Sequence, residues 1–428
     1  MKIIRITVLC AILLMSYAHG ILAQNRLEFT VEQAEARFLE RNLQLLAERY
    51  NIAMADAMIL QARLFENPTL TAHDVNFWRP SEVADELNIP HASLGQRVVF
   101  SLELEQLITT AGTRRRAVAV ERTAREIAVR EFEALLLELK IELRTALYET
   151  IFLQSYLNVI NRQQESIEHL VEQFRRQTMA GNIARTELIR LQASLIEIIS
   201  EANELRMELN EQHRKLIALL NLAPGTEIYI LPSESAMKNP DEIVLADLFE
   251  LARNARPEFL LADLNVQYSE RVLRYEQSHR VPDLTLSLQY SRYDGMWGNF
   301  VGVGVGFDIP VFNRNQGNIR VARFQVEQEM HNAEFERNAV FQEIVESFNN
   351  YRMSYNFYRQ IADSDFFEEL ENLLEVYSRN LLNRNINMLE FIDFMEAYRT
   401  AKEAVLTAQR NLNTSFAELQ FSVNQPIN

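Results

Sequence analysis

The chain has 428 residues, 48% of them hydrophobic and 24% charged, which allows a large core and is too apolar for a disordered protein. Only 11 glycines and 10 prolines point to long uninterrupted helices rather than an all-β enzyme. A formal charge of −16 argues against a nucleic-acid partner, which needs a basic stripe, and fits either a soluble surface or a channel that prefers cations.

The N-terminus reads as an export signal over residues 1–23. Lys2 and Arg5 precede an apolar run from Ile6 to Tyr17, and small residues follow around Ala18-His19-Gly20 and Ala23. The run is too short for a spanning helix, which needs about 20 apolar residues. The single cysteine, Cys10, lies inside it without a convincing lipoprotein cleavage box, so the mature chain, residues 24–428, is expected to lack thiol chemistry. No later segment reads as a transmembrane helix. Entry into a membrane would therefore use β-strands.

The remainder reads as two repeats, about 28–222 and 243–421. Gln44-Leu45-Leu46 is echoed by Glu258-Phe259-Leu260, and Asn67-Pro68-Thr69-Leu70 by Val281-Pro282-Asp283-Leu284. Gly112 before a basic helix start is echoed by Gly317, and Asn182-Ile183 with Glu187-Leu188 by Asn385-Ile386 with Glu390-Phe391. Each half then reads helix, strand, strand, very long helix, turn, long helix, with a longer loop between the strands of the first half.

The strands alternate as a wall between lipid and a lumen requires. Leu284, Leu286, Leu288 and Tyr290 alternate with Thr285, Ser287, Gln289 and Ser291, and Val301, Val303, Val305, Phe307 and Ile309 with Gly302, Gly304, Gly306 and Asp308. In the first half, Val98, Phe100, Leu102 and Leu104 alternate with Arg97, Ser101 and Glu103, interrupted by Val99; the strand after Pro68 is the weakest. Phe77, Trp78, Tyr290, Tyr293 and Trp297 sit near strand ends, where aromatic rings favour a membrane interface. A single such strand fits a soluble hairpin as well; the repeated set does not.

Four strands cannot close a barrel, and open edges in lipid leave backbone groups unsatisfied. Two copies would give about eight strands and a plugged lumen, three about twelve and a pore, so a homotrimer is expected. The helices carry heptads: Phe132, Leu136, Leu139, Leu143, Ala146, Thr150, Leu153, Leu157 and Ile160 in one, Leu188 to Leu216 in the next, and Phe391 to Leu419 in the second half. Such spacing predicts antiparallel coiled-coil hairpins, with residues 117–178 in one helix of roughly 90 Å at 1.5 Å per residue.

In this order the chain resembles the TolC-like outer-membrane efflux family. The resemblance covers residues 28–428 and rests on Thr30-Val-Glu-Gln-Ala, the Asn67–Leu70 junction, Ile309-Pro-Val-Phe-Asn-Arg314 leading into Gln316-Gly317, and the two hairpin turns. The stretch Phe312–Gly317 looks most like the branch serving heavy-metal pumps of the resistance-nodulation-division (RND) class. The resemblance implies a mainly α fold with a β-barrel portion, the trimer closing into a twelve-stranded barrel and an α-helical tunnel. It further implies a passive duct in a Gram-negative outer membrane that extends into the periplasm and meets a periplasmic adaptor and an inner-membrane RND-type pump, without cofactor or catalysis.

Glu390 and Asp393 match the two acidic positions that ring the tunnel entrance in that family. Three-fold repetition would cluster six carboxylates and attract cations; the plain alternative is a pair of solvated acids at a helix start, favoured by the dipole. Around the turns, Asn182, Arg185, Glu187, Arg384 and Asn385 are candidate gate or tip contacts, with Arg176 and Arg379 as further cations able to tether hairpins. Met179, Ile183, Leu382, Ile386 and Met388 suit adaptor contact or, more simply, helix packing. The histidines show no metal-ligand spacing, and His73 and His91 near the first strand pair carry little weight as ligands. No phosphate loop, dinucleotide fingerprint or nucleophile elbow occurs. A secreted periplasmic or surface coiled-coil protein without a pore remains the alternative; it accounts for the helices but not the paired strands.

Overall fold

A computed structural model describes residues 26–76, 99–232, 237–292, 299–362 and 366–427. The export signal read at 1–23, Cys10, His91, Arg97, Val98, and the aromatics Phe77, Trp78, Tyr293 and Trp297 lie outside these residues.

In chain order the elements are β1 (Arg26–Phe29), α1 (Val31–Arg41), α2 (Leu43–Arg63), β2 (Thr69–Asn76), β3 (Val99–Ile108), α3 (Thr113–Met179) and α4 (Arg185–Leu219). Then follow β4 (Glu227–Ile230), a 3-10 turn (Pro240–Glu242), α5 (Leu245–Ala255), α6 (Pro257–Ser278), β5 (Leu284–Arg292) and β6 (Phe300–Phe307). The chain closes with α7 (Gln316–Ala362), α8 (Phe366–Leu382) and α9 (Met388–Ser422). The helix expected over 117–178 is continuous over 67 residues. Its counterpart in the second half is described as two helices, α7 and α8, on either side of 363–365.

The chain forms two compact units that cut across the sequence repeats: Met1–Glu48, Glu133–Arg256 and Ala339–Asn428 in the first, Arg49–Phe132 and Pro257–Asn338 in the second.

In the first unit the expected heptads form the seams. Leu139, Leu143, Ala146, Thr150, Leu153 and Ile160 of α3 are buried, as are Leu191, Ile198, Ala202 and Leu205 of α4 and Phe391, Tyr398, Leu412 and Leu419 of α9. One apolar cluster joins α3, α4, α8 and α9; a second gathers Leu248, Ile344, Tyr351, Phe416 and Leu419 from α5, α7 and α9. Unforeseen in the sequence, β1 and β4 pair in parallel, Arg26 opposite Glu227 through Phe29 opposite Ile230. The chain turns from β1 into α1 at Thr30, whose hydroxyl accepts from Gln33 N–H while the Gln33 side chain accepts from Thr30 N–H.

The second unit holds the four-stranded antiparallel sheet, in the order β2-β3-β5-β6. Leu70 stands opposite Leu104, Leu104 opposite Leu288, and Leu288 opposite Val303. One face therefore collects Leu70, Leu102, Leu104, Leu286, Leu288, Val301, Val303, Val305 and Phe307. Most of these are exposed, Val303 by 85%. The opposite face carries Thr71, Ser101, Glu103, Ser287, Gln289, Ser291 and the three glycines of β6, with the Ser101 and Ser291 hydroxyls 3.0 Å apart and buried. A Cβ at Gly302 would lie 2.8 Å from the Phe300 ring, and one at Gly304 would meet the Ser287 hydroxyl. The glycines thus leave room on this face for the Phe300 ring and the Ser287 hydroxyl.

The weak alternation of β2 has a local cause. Its register with β3 slips by one residue between His73 and Asn76, and Asp74 there is left-handed at φ 55°, which marks a bulge.

Candidate functional site

The hairpin tips, both in the first unit, contain all the sequence-predicted site residues. The two turns have the same geometry. At the first, Asn182 N–H donates to Gln177 O at 2.9 Å and Gly181 N–H to Thr178 O at 3.1 Å; at the second, Asn385 N–H donates to Asn380 O at 2.9 Å and Arg384 N–H to Leu381 O at 3.1 Å. This pair of bonds ends a helix on a left-handed residue, normally glycine. Gly181 meets that demand at φ 76°, and its counterpart Arg384 adopts φ 61°. A side chain in that region costs about 1–2 kcal/mol. Against this, the Arg384 guanidinium donates to Asn182 O across the two tips at 2.6 Å.

Beyond the turns the tips diverge. α9 begins with a capping box: the Asn387 side chain accepts from Glu390 N–H at 3.0 Å, and the Glu390 carboxylate accepts from Asn387 N–H at 3.2 Å. The equivalent residue at the start of α4, Ala184, has no side-chain cap. Glu390 is therefore held against its own helix start. Asp393, one turn further, is exposed and has no side-chain partner among the described residues, and its counterpart in the first tip is Arg190. Between the tips lies an open cleft of about 460 Å³ lined by Asn182, Ile183, Glu187, Arg384, Asn387 and Glu390.

Of the remaining candidates, Asn385 bonds the Asn380 side chain at 3.3 Å and Arg379 pairs with Glu375 on its own helix at 3.0 Å. Arg185 and Glu187 are exposed at the start of α4. Arg384 alone of the tip arginines links two hairpins within the chain, among the described residues. Ile183, Leu382 and Ile386 pack on the first apolar cluster and Met388 is buried in it, whereas Met179 is 82% exposed.

A polar cluster further along the hairpins escaped the sequence reading. Tyr156 of α3 donates to Glu201 of α4 at 2.6 Å, and Arg399 of α9 donates to the other oxygen of Glu201 at 2.8 Å. Burial, then the Glu201 hydrogen bond, push the Tyr156 hydroxyl above its usual range. Arg410 adds a pair to Glu149 at 3.3 Å with its guanidinium over the Phe152 ring. These residues flank the heptad seams, where interhelical polar pairs form; that flanking position was the available signal.

Among the described residues no three His, Cys, Asp or Glu side chains gather as a metal site. His73 approaches Asp74 at 3.7 Å and Glu103 at 3.5 Å on the polar face of the sheet. No described helix is long and apolar enough to cross a membrane.

No family model matches the sequence, and no curated protein does. Solved structures do match over nearly the whole chain. The CmeC outer-membrane channel of Campylobacter jejuni aligns at a TM-score of 0.74 with 13% identity, over 92% of this chain and 85% of that one. The chain has the fold of the TolC-like outer-membrane channels. A membrane protein from Pseudomonas aeruginosa aligns at 0.73 with 13% identity, covering 92% and 93% of the two chains. CusC, described in terms of folding and transmembrane channel formation, aligns at 0.69 with 14% identity over 95% and 96%. The likeness is spread evenly over these channels and singles out no heavy-metal branch.

Proposed function

We propose that the chain is one protomer of a passive outer-membrane efflux duct, exported by its N-terminal segment and assembled as a homotrimer. The observation that carries this reading is the sheet of the second unit. It has an apolar face left exposed in the single chain and two outer edges, on β2 and β6, that no other described strand covers. Water penalises such a face and lipid penalises such edges. Closure with further copies in a membrane removes both problems, and three copies of four strands give the smallest barrel with a lumen. The apolar sheet face also favours this reading over a coiled-coil structural protein, for which it would be a liability.

The helical hairpins then wall a periplasmic passage, and their tips form its entrance. There the three copies of Asp393, with Glu390 behind them, present carboxylates to passing cations. The exposed tip residue Met179 and its surroundings offer contact to a periplasmic adaptor, which links the duct to an inner-membrane pump of the RND class. The duct itself performs no chemistry; energy and choice of cargo come from the pump.

The test is assembly in a membrane. Detergent extracts of outer-membrane fractions should contain SDS-resistant trimers, and these should conduct ions in planar bilayers. A monomer that stays in the soluble periplasmic fraction would refute the reading.

A further inference from the structure

The two halves of the sheet are related by the internal repeat with unusual strictness. The pair Leu70 opposite Leu104 in β2–β3 maps onto the pair Leu284 opposite Phe307 in β5–β6. The same correspondence matches the helix starts that follow, Thr113 of α3 with Gln316 of α7. It also matches the left-handed residues before them, Gly112 at φ 69° with Asn315 at φ 56°, and, at the tips, Gly181 with Arg384. Gly317, the partner suggested by sequence for Gly112, is displaced from it by two positions. β3 thus corresponds to β6, and β5 to β2.

This leaves one pairing without a counterpart in the chain. β3 pairs with β5 from Phe100 opposite Arg292 down to Ile108 opposite Leu284. Its equivalent would join β6 to β2, which are the two outer strands of the sheet and cannot meet within four strands. They can meet only between copies.

Resting on the proposed trimer, we infer that β6 of one chain pairs with β2 of the next in the register dictated by the β3–β5 pair, with Ile309 opposite Ala72, Asp308 opposite His73 and Val311 opposite Leu70.

Three features of the single chain support this register over its neighbours. First, the apolar alternation of β6 does not stop where the strand does: β6 ends at Phe307, where β5 runs out at Leu284, yet Ile309 and Val311 continue it and are exposed. Their equivalents in β3, Gln106 and Ile108, are both in the ladder. Second, a shift by one residue turns every side chain to the other face, so it would set Ile309 against inward-facing Thr71 or His73. Third, the one-residue bulge of β2, which shifts its backbone register from His73 opposite Ser101 to Asn76 opposite Val99, carries over and brings position 76 opposite Gly306, so the register runs on past Asp74. One local change is required. In the single chain Val311 N–H donates to Ile309 O at 2.8 Å around Pro310, and that turn must open for Val311 to reach Leu70.

Only slips by two residues preserve the facing, so they are the competitors to exclude. In a Cys10→Ala background, which removes the one native cysteine, Ala72→Cys is combined in turn with Phe307→Cys, Ile309→Cys and Val311→Cys in the full chain. Each is oxidised in outer-membrane vesicles and run on non-reducing gels beside the untreated sample. The expected result is a ladder of covalent dimer and trimer for the Ile309 pair that dominates the other two, since directly opposed residues bring their Cβ atoms to about 4.5–5.5 Å and residues two positions away to about 7–8 Å. A dominant ladder from the Phe307 or Val311 pair, with SDS-resistant trimers present in the untreated sample, would overturn the register and leave the duct standing. No intersubunit bond in any pair, together with an extracted monomer, would overturn both.

Discussion

Val303 offers the sharpest test of which solvent the sheet faces. It lies mid-strand in β6, opposite Leu288, and is 85% exposed in the single chain. In water, replacing so exposed a residue changes stability by about 0.5 kcal/mol at most. Against hydrocarbon near the bilayer midplane, an arginine costs about 2–4 kcal/mol. A three-fold barrel carries the substitution three times, so Val303→Arg should cost about 6–12 kcal/mol per assembly. Gln289 is the matched control: it belongs to the neighbouring strand, on the opposite face, where Gly302 stands across from it and leaves room. Gln289→Arg should be nearly neutral. The assay is urea-dependent folding into lipid vesicles, read by the SDS-resistant trimer band. Even 2 kcal/mol shifts the ratio of folded to unfolded protein about 30-fold at 1.4 kcal/mol per decade, well outside gel error near the transition midpoint. Equal behaviour of the two variants, or loss of trimer only with Gln289→Arg, would refute the assignment of the apolar face to lipid.

At the tips, Glu390→Gln keeps a side chain able to complete the capping box while removing charge, so helix stability should hold; Asp393→Asn should lower cation selectivity in single-channel recordings by more than Glu390→Gln does, and selectivity unchanged from the parent chain in both variants would remove the acids from the entrance. Arg384→Gly relieves about 1–2 kcal/mol of left-handed strain while deleting an exposed hydrogen bond of similar size, so thermal unfolding should barely move but resting conductance should rise; unchanged conductance would mean that the Arg384–Asn182 contact is no gate. Arg384→Ala keeps the strain without the bond and should unfold at a lower temperature than either. His213 on α4 has a buried Nε2 without a partner among the described residues, and burial lowers its pKa despite the charge of Glu227 and a bond to the Ile228 backbone. The native state therefore prefers neutral imidazole, and stability should be full above the unfolded value of about 6.5 and fall as pH drops below it. His213→Gln should flatten that acid limb in urea titrations, and an unchanged slope would discard the argument.

Much of this fold was legible because two periodicities were clean. Heptads cannot hide in a helix of 67 residues, and strict two-residue alternation in β5 and β6 defines both their faces from the residues alone. Where the signal failed, a local event was responsible. The bulge at Asp74 inserts one residue, which reverses the facing halfway along β2 and makes an ordered strand look patternless. β1 and β4 are four residues each with 197 residues between them, too short for periodicity and too distant for a turn signal. The cluster of Tyr156, Glu201 and Arg399 depends on how α3, α4 and α9 rotate against one another, which a heptad constrains only at its apolar positions.

At the tips, the two halves of the chain can be compared residue by residue as structures. Where the halves share both residue and conformation, as at Asn182 and Asn385, the turn itself explains the residue: its N–H closes the wider of the two bonds that end the helix. Where they share conformation but not residue, the turn explains nothing, and another demand must be acting. Three such differences fall in the second tip within ten residues: Arg384 for Gly181, Asn387 for Ala184 and Asp393 for Arg190. The first tolerates strain to reach a carbonyl on the other tip. The second anchors Glu390 and so fixes the start of α9. The third reverses a charge on an exposed turn. A turn that merely joined two helices would have no use for any of these, since the first tip closes equally well without them. On the proposed duct reading, the tip that differs from a plain turn is the second hairpin, and grafting Gly181→Arg onto the first should add strain without a tether, giving a less stable chain of unchanged conductance in thermal unfolding and bilayer recordings.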